Sequence, residues 1–175
     1  RFKYLLEFSN SRGPDESSVI SISNEIRFGF NRLAILDLSK EASQPIWSPS
    51  RRYLIVFNGE IYNHMELRKS LGNFGEKIKS NGDTVSLAYC IEKWGVEETI
   101  KILEGMFAIG VWDKKKKCLI LARDFAGIKP LFYGSNKKGF VNFDGYQIQK
   151  KNKFNKIIPC FFMAVIIHDV TFVLL

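Results

Sequence analysis

The sequence predicts an α+β fold in one domain. Three observations carry that expectation: alternating, β-branched text over the first third, apolar residues at helical spacing between positions 62 and 103, and two apolar runs of strand length joined by a lysine turn. The 175 residues fit one ordinary domain, and 46% hydrophobic against 25% charged residues is a globular composition, far from that of disorder.

Taken in order, Asn10 to Asp15 form a loop around Arg12-Gly13-Pro14, and strands are expected over 19–22, 26–36 and 53–57. After Asn58-Gly59-Glu60, residues 62–71 suit a short amphipathic helix, with Met65 and Leu67 turned inward and Gly72 as its stop. Asp83 precedes a second helix on which Leu87, Ala88, Ile91 and Trp94 share a face, and Gly95 ends it. A third short helix covers 96–103. Residues 105–113 and 118–123 then form a hairpin across Lys114 to Lys117, with one more strand over 130–133.

Order weakens beyond Gly139. The apolar stretch 157–175 is the one segment that raises a membrane question, but Pro159, His168 and Asp169 interrupt it, and a charge at mid-bilayer costs about 2.5–3.5 kcal/mol. A poorly packed tail or a misread coding sequence is the expectation. We therefore draw the domain over 1–141 and treat 142–175 as a divergent tail.

The net charge of +8 is concentrated late, since residues 134–175 carry six Lys against two Asp and so hold half of the excess. The compact lysine run sits in a turn and reads as a solvated loop, so no nucleic-acid partner is expected. Cys90, Cys118 and Cys160 are an odd set without CxxC spacing, which argues against a disulfide framework or a metal site and for a reducing, cytoplasmic setting. Residues 1–7 have a basic start without the apolar core of a secretory signal, and the first residue is Arg rather than Met.

Three polar islands interrupt the strands: Arg32 within FNRLAIL, Asn58-Gly59-Glu60, and Gly82-Asp83 before a helix. Taken singly, Arg32 is explained as a surface strand residue, the Asn-Gly-Glu triplet as a turn and Asp83 as a helix N-cap. Together with their surroundings they say more. The strings SRGPDESS, FNRLAILDLS with ASQPI, VFNGEIYNHMELR, SNGDTVSL, WG, LEGMFAIGVWD and LARDFAGIKPLFYG follow one another over roughly seven tenths of the chain. In that order they resemble the class II glutamine amidotransferase domain of asparagine synthetases.

The resemblance implies an N-terminal-nucleophile hydrolase fold, an αββα sandwich, here incomplete. It implies a glutaminase reaction in which glutamine and water give glutamate and ammonia for asparagine synthesis. Arg32 matches the position that grips the substrate α-carboxylate, a task suited to a planar guanidinium. Asp83 matches the position that pairs the α-ammonium, with Glu60 beside it, and Leu33 and Ile35 match positions lining the pocket. Asn58 and Gly59 match the oxyanion hole, where loss of one preorganised donor costs about 2.7–4 kcal/mol in other enzymes. The stretch from Asp124 to Tyr133 is expected to be a structural link toward the synthetase half.

The departures are as informative. The family's nucleophile is a Cys at the mature N-terminus whose own amine can act as base. Arg1 stands at the start here, and Cys90 and Cys118 read as buried structural thiols. Ser11 replaces a usual His, Val85 a usual Glu, and Phe125-Ala126 departs from a usual Arg-Phe. No pyrophosphate-binding loop is seen, so ATP and Mg would belong to a missing synthetase domain, and no metal or cofactor is expected here. The expected partners are L-glutamine and a synthetase domain or a second copy of the chain. As the chain stands, no glutaminase activity is expected. Two other readings remain: a non-catalytic module that binds glutamine through Arg32 and Asp83 or only contacts a partner, and an amidotransferase for another acceptor.

Overall fold

The computed structural model describes Glu7, residues 13–23, 26–32 and 43–134, and the backbone of three further strands at 156–158, 163–166 and 171–174. In chain order the elements are β1 (Glu16–Ser21), β2 (Arg27–Arg32), β3 (Ile46–Trp47), β4 (Tyr53–Ile61), α1 (His64–Ser70), a 3-10 turn (Gly72–Lys77), α2 (Asp83–Trp94), α3 (Val96–Ile102), β5 (Gly105–Asp113), β6 (Cys118–Arg123), β7 (Leu131–Gly134), β8 (Lys156–Ile158), β9 (Met163–Ile166) and β10 (Thr171–Leu174).

The strands form two five-stranded sheets, ordered β1-β2-β10-β9-β7 and β3-β4-β5-β6-β8. Strand alternation explains how they stack. On β4, Tyr53, Ile55, Phe57 and Ile61 join a core cluster with Leu87, Ala88, Cys90 and Ile91 of α2 and Val96 and Ile100 of α3. The alternate residues Leu54 and Val56 join Ala108, Trp112, Leu119, Leu121 and, from the first sheet, Phe28. The second sheet is therefore buried on both faces, under helices on one side and the first sheet on the other. This is why β5 and β6 read as nearly unbroken apolar runs rather than alternating ones. Complete burial of each large aliphatic side chain there, such as Ile55, Ile109 or Leu119, contributes about 1.5–3 kcal/mol. The described residues thus supply one helical layer and both sheets of an α+β sandwich.

Several expectations need correction. Asn58-Gly59-Glu60 is not a turn, for β4 runs through it to Ile61, paired with β5 as Asn58↔Ala108, Gly59↔Phe107 and Glu60↔Met106. Alternating residues up to Phe57 suggested a strand end; the backbone pairing of Gly105 and Met106 carries it four residues further. Met65 is exposed while Leu67 is buried, because a helix of only seven residues offers one narrow inward stripe. Arg32 is buried rather than on the surface. Asp83 is the first helical residue and not the N-cap, which is Gly82. The tail, expected to pack poorly, supplies strands to both sheets: β10 pairs with β2, β9 with β7 and β8 with β6. Its β-branched text suits sheet pairing. Among the described residues no helix is long and apolar enough to cross a membrane.

The lysine turn is anchored from below. Asp113 is gripped by Arg52 through Nε at 3.2 Å and Nη2 at 2.8 Å, and it accepts the N–H groups of Lys115 and Lys116 at 2.9 and 3.1 Å. The four lysine side chains are left exposed, as expected of a solvated turn.

Candidate functional site

Asn58 continues the β4 face that carries Leu54 and Val56 between the sheets. Its side chain is buried, yet among the described residues neither its amide nitrogen nor its oxygen has a hydrogen-bond partner. A buried polar group left unbonded costs about 1–3 kcal/mol. Gly59 beside it has φ +145°, and an added Cβ would fall against the Met106 carbonyl oxygen and 2.7 Å from Phe107 Cα. Glu60, half-buried, follows on the same face as Asn58.

Arg32 reaches the same layer from the opposite sheet. It is two alternations beyond Phe28 on β2, and its guanidinium is buried. Its Nη1 lies 3.2 Å from Glu16 Oε2, which also accepts the Ser43 hydroxyl at 2.8 Å. The next residue, Gln44, spans the gap to β4. Its buried side-chain amide donates to the Phe57 carbonyl at 2.8 Å and accepts the Phe57 N–H at 2.6 Å, and Ser18 of β1 donates to the Gln44 carbonyl. A short path of bonds through Glu16, Ser43 and Gln44 therefore links Arg32 in one sheet to the residue preceding Asn58 in the other.

Asp83 approaches from the helical side. Its Oδ2 accepts the Ile61 N–H at 3.0 Å, fixing the start of α2 to the end of β4. Arg68 of α1 holds the preceding loop in place, donating to the Ser80 carbonyl at 2.7 Å and to the Ser86 hydroxyl at 2.9 Å. Burial pushes the Asp83 carboxyl above the usual carboxylate range, against the N–H groups of Ile61 and Thr84 and the nearby charge of His64. The raised value means that Asp83 favours folding when protonated, and that this contribution is lost as pH rises through its folded pKa. Asp83→Asn keeps an oxygen for Ile61 and removes the desolvated charge. Melts between about pH 4 and 7 should show the variant gaining on the wild type as pH rises, and a variant clearly less stable near neutrality would refute this reading.

Leu33 and Ile35, expected to line the pocket, lie outside the described residues, as do Arg12 and Ser11. Val85, which departs from the resemblance, is buried in the helix-side core. Asp124 accepts the N–H groups of Phe107, Ile128 and Lys129 at 3.2, 2.9 and 3.0 Å, tying its loop to β5. Phe125 and Ile128 project into solvent at the tip of that loop. The two described thiols, Cys90 and Cys118, are buried, and burial pushes Cys90 up to about 12, so it is no nucleophile at neutral pH.

Residues 2–149 match the family described as the glutamine amidotransferase domain. The chain belongs to that family. Within it, the domain is 42% identical over 137 residues to a putative asparagine synthetase [glutamine-hydrolyzing] of Mycobacterium tuberculosis, covering 73% of this chain and 21% of that protein. It is 37% identical over 134 residues to asparagine synthetase [glutamine-hydrolyzing] 3 of Bacillus subtilis, covering 75% and 21%. The chain thus spans about a fifth of the length of these curated relatives. Among solved structures, a glutamine phosphoribosylpyrophosphate amidotransferase from B. subtilis superposes with TM-score 0.51 at 25% identity, covering 62% of this chain and 25% of that one. That neighbour bears out the α+β, N-terminal-nucleophile architecture expected of the amidotransferase domain.

The residues that sequence reading missed are the supports. Gln44 and Arg68 lie inside strings quoted above, and a Gln beside Pro or an Arg at the end of a helix carries no signal of the bond it makes. Glu16 and Ser43 also fall inside quoted strings, but nothing local marks them as partners of Arg32; only the sheet register and the loop path bring them there.

Proposed function

We propose that this amidotransferase domain binds free L-glutamine at the layer between its sheets and orients the side-chain amide for hydrolysis. The observation that carries the reading is the buried, unbonded amide of Asn58 beside Gly59 on β4. Arg32 takes the α-carboxylate and Asp83, with Glu60, the α-ammonium. The Asn58 amide and the Gly59 N–H receive the oxygen that becomes negative when a nucleophile adds to the amide carbon. Ammonia then leaves, and water releases glutamate from the acyl intermediate. By analogy with the relatives' names, the ammonia serves asparagine formation in a synthetase domain.

The nucleophile is not one of the described thiols, since both are buried. The 175-residue polypeptide is expected to bind glutamine without hydrolysing it. Calorimetry is expected to show glutamine binding that weakens at least about twentyfold in Arg32→Ala, in keeping with loss of a charged hydrogen-bond partner worth about 2 kcal/mol. A glutamine-directed electrophile should label neither Cys90 nor Cys118. Equal affinity in wild type and Arg32→Ala would remove the proposed carboxylate site, and ammonia release by the polypeptide would overturn the expectation that it does not hydrolyse glutamine.

A further inference from the structure

The carboxylate that holds Arg32 belongs to the chain itself. β1 and β2 pair with Glu16 directly opposite Arg32, so their side chains are neighbours by register and not by chance approach. Arg32 Nη1 lies 3.2 Å from Glu16 Oε2, the Ser43 hydroxyl donates to the same oxygen at 2.8 Å, and Ser43 Oγ is 3.5 Å from Arg32 Nη1. The two partners are unequal in burial. The Arg32 side chain is 10% exposed and that of Glu16 37%, so a water-facing carboxylate sits on a guanidinium that is largely out of water. That is the position an incoming α-carboxylate would have to take or share. A second carboxylate brought beside Glu16 would meet a like charge in a partly desolvated place, where such juxtaposition is costly.

We propose that Glu16 is an internal competitor for Arg32, occupying the guanidinium in the free domain and setting the affinity for glutamine by having to be displaced. The inference rests on the reading that Arg32 takes the ligand carboxylate. Glu16 is suited to leave: it is the first residue of its strand, it is more than a third exposed, and its released charge would be hydrated. Ser43 works the other way, tethering the oxygen that Arg32 shares. Weakly bound acids that cannot also engage Asp83 would fail to displace Glu16, so the arrangement selects for ligands carrying an ammonium beside the carboxylate.

The test is calorimetry on the 175-residue chain with L-glutamine and with its α-carboxamide, which lacks the competing charge. Glu16→Gln keeps an oxygen for Arg32 and Ser43 and removes the negative charge. It should tighten L-glutamine about tenfold and leave the α-carboxamide unchanged. Ser43→Ala, which only loosens the tether, should tighten it about threefold in the same selective way. Unchanged or weaker binding of L-glutamine to Glu16→Gln, with Arg32→Ala still abolishing it, would overturn the competitor role alone and make Glu16 an orienting partner. If Arg32→Ala leaves binding intact, or neither the wild type nor Glu16→Gln takes up glutamine, the carboxylate site and the competitor fall together.

Discussion

Gly59→Ala is expected to lower the stability of the domain by about 3 kcal/mol, with a fall in melting temperature of about 10 °C. Two independent effects add. The residue sits at φ +145°, a conformation that side chains rarely adopt, and the new Cβ would press on the Met106 carbonyl and lie 2.7 Å from Phe107 Cα. Neither neighbour can yield, since Met106 and Phe107 are backbone partners of Glu60 and Gly59 in the central ladder of the second sheet. Gly105 is the reciprocal case: at φ +154°, its Cβ would meet the Glu60 carbonyl from the other strand. Gly105→Ala should therefore cost a similar amount, although no substrate role falls on it. Urea denaturation of both variants separates the two reasons for glycine at position 59. Matching losses assign that glycine to the closeness of β4 and β5. A loss below about 0.5 kcal/mol at Gly59 would show that the strands can part, and would leave close approach of a substrate as the remaining reason for it.

The same pair of strands shows how far the sequence could be read. Helix α2 was legible because Leu87, Ala88 and Ile91 repeat at helical spacing and each is buried. The β5–β6 hairpin was legible because its two apolar runs flank a lysine turn. The continuation of β4 through Asn58-Gly59-Glu60 was not, because Asn and Gly are turn residues by local preference, and only pairing with β5 overrides it. Of the site, Arg32, Asn58 and Asp83 could be picked out by their place in quoted strings. Their wiring could not. Glu16 is one charged residue among many until sheet register sets it opposite Arg32, and Gln44 gives no hint in sequence that its amide will imitate a strand partner for Phe57. Contacts between residues far apart in the chain are set by topology, and no local pattern encodes them.

Asn58→Leu is expected to make the free domain more stable and the reaction far slower. The side chain lies between the sheets on the face that carries Leu54 and Val56, next to an apolar cluster, and its amide bonds to nothing among the described residues. Leucine has the same number and branching of heavy side-chain atoms as asparagine, can join that cluster, and removes two unsatisfied polar atoms. The gain should be about 1–2 kcal/mol, read as a shift of the urea midpoint with an unchanged slope. A position placed for folding alone would respond in the opposite sense, because an amide with partners in the protein loses them on substitution. In a form of the domain extended to carry an N-terminal Cys, the same change should slow ammonia release about a hundredfold or more, the effect of removing one donor to a developing oxyanion. Glutamine affinity should change much less than turnover, since the donor is needed most when the oxygen becomes charged. Destabilisation by Asn58→Leu would mean that the amide has a partner in the folded chain, and the argument for an oxyanion site at β4 would lose its footing.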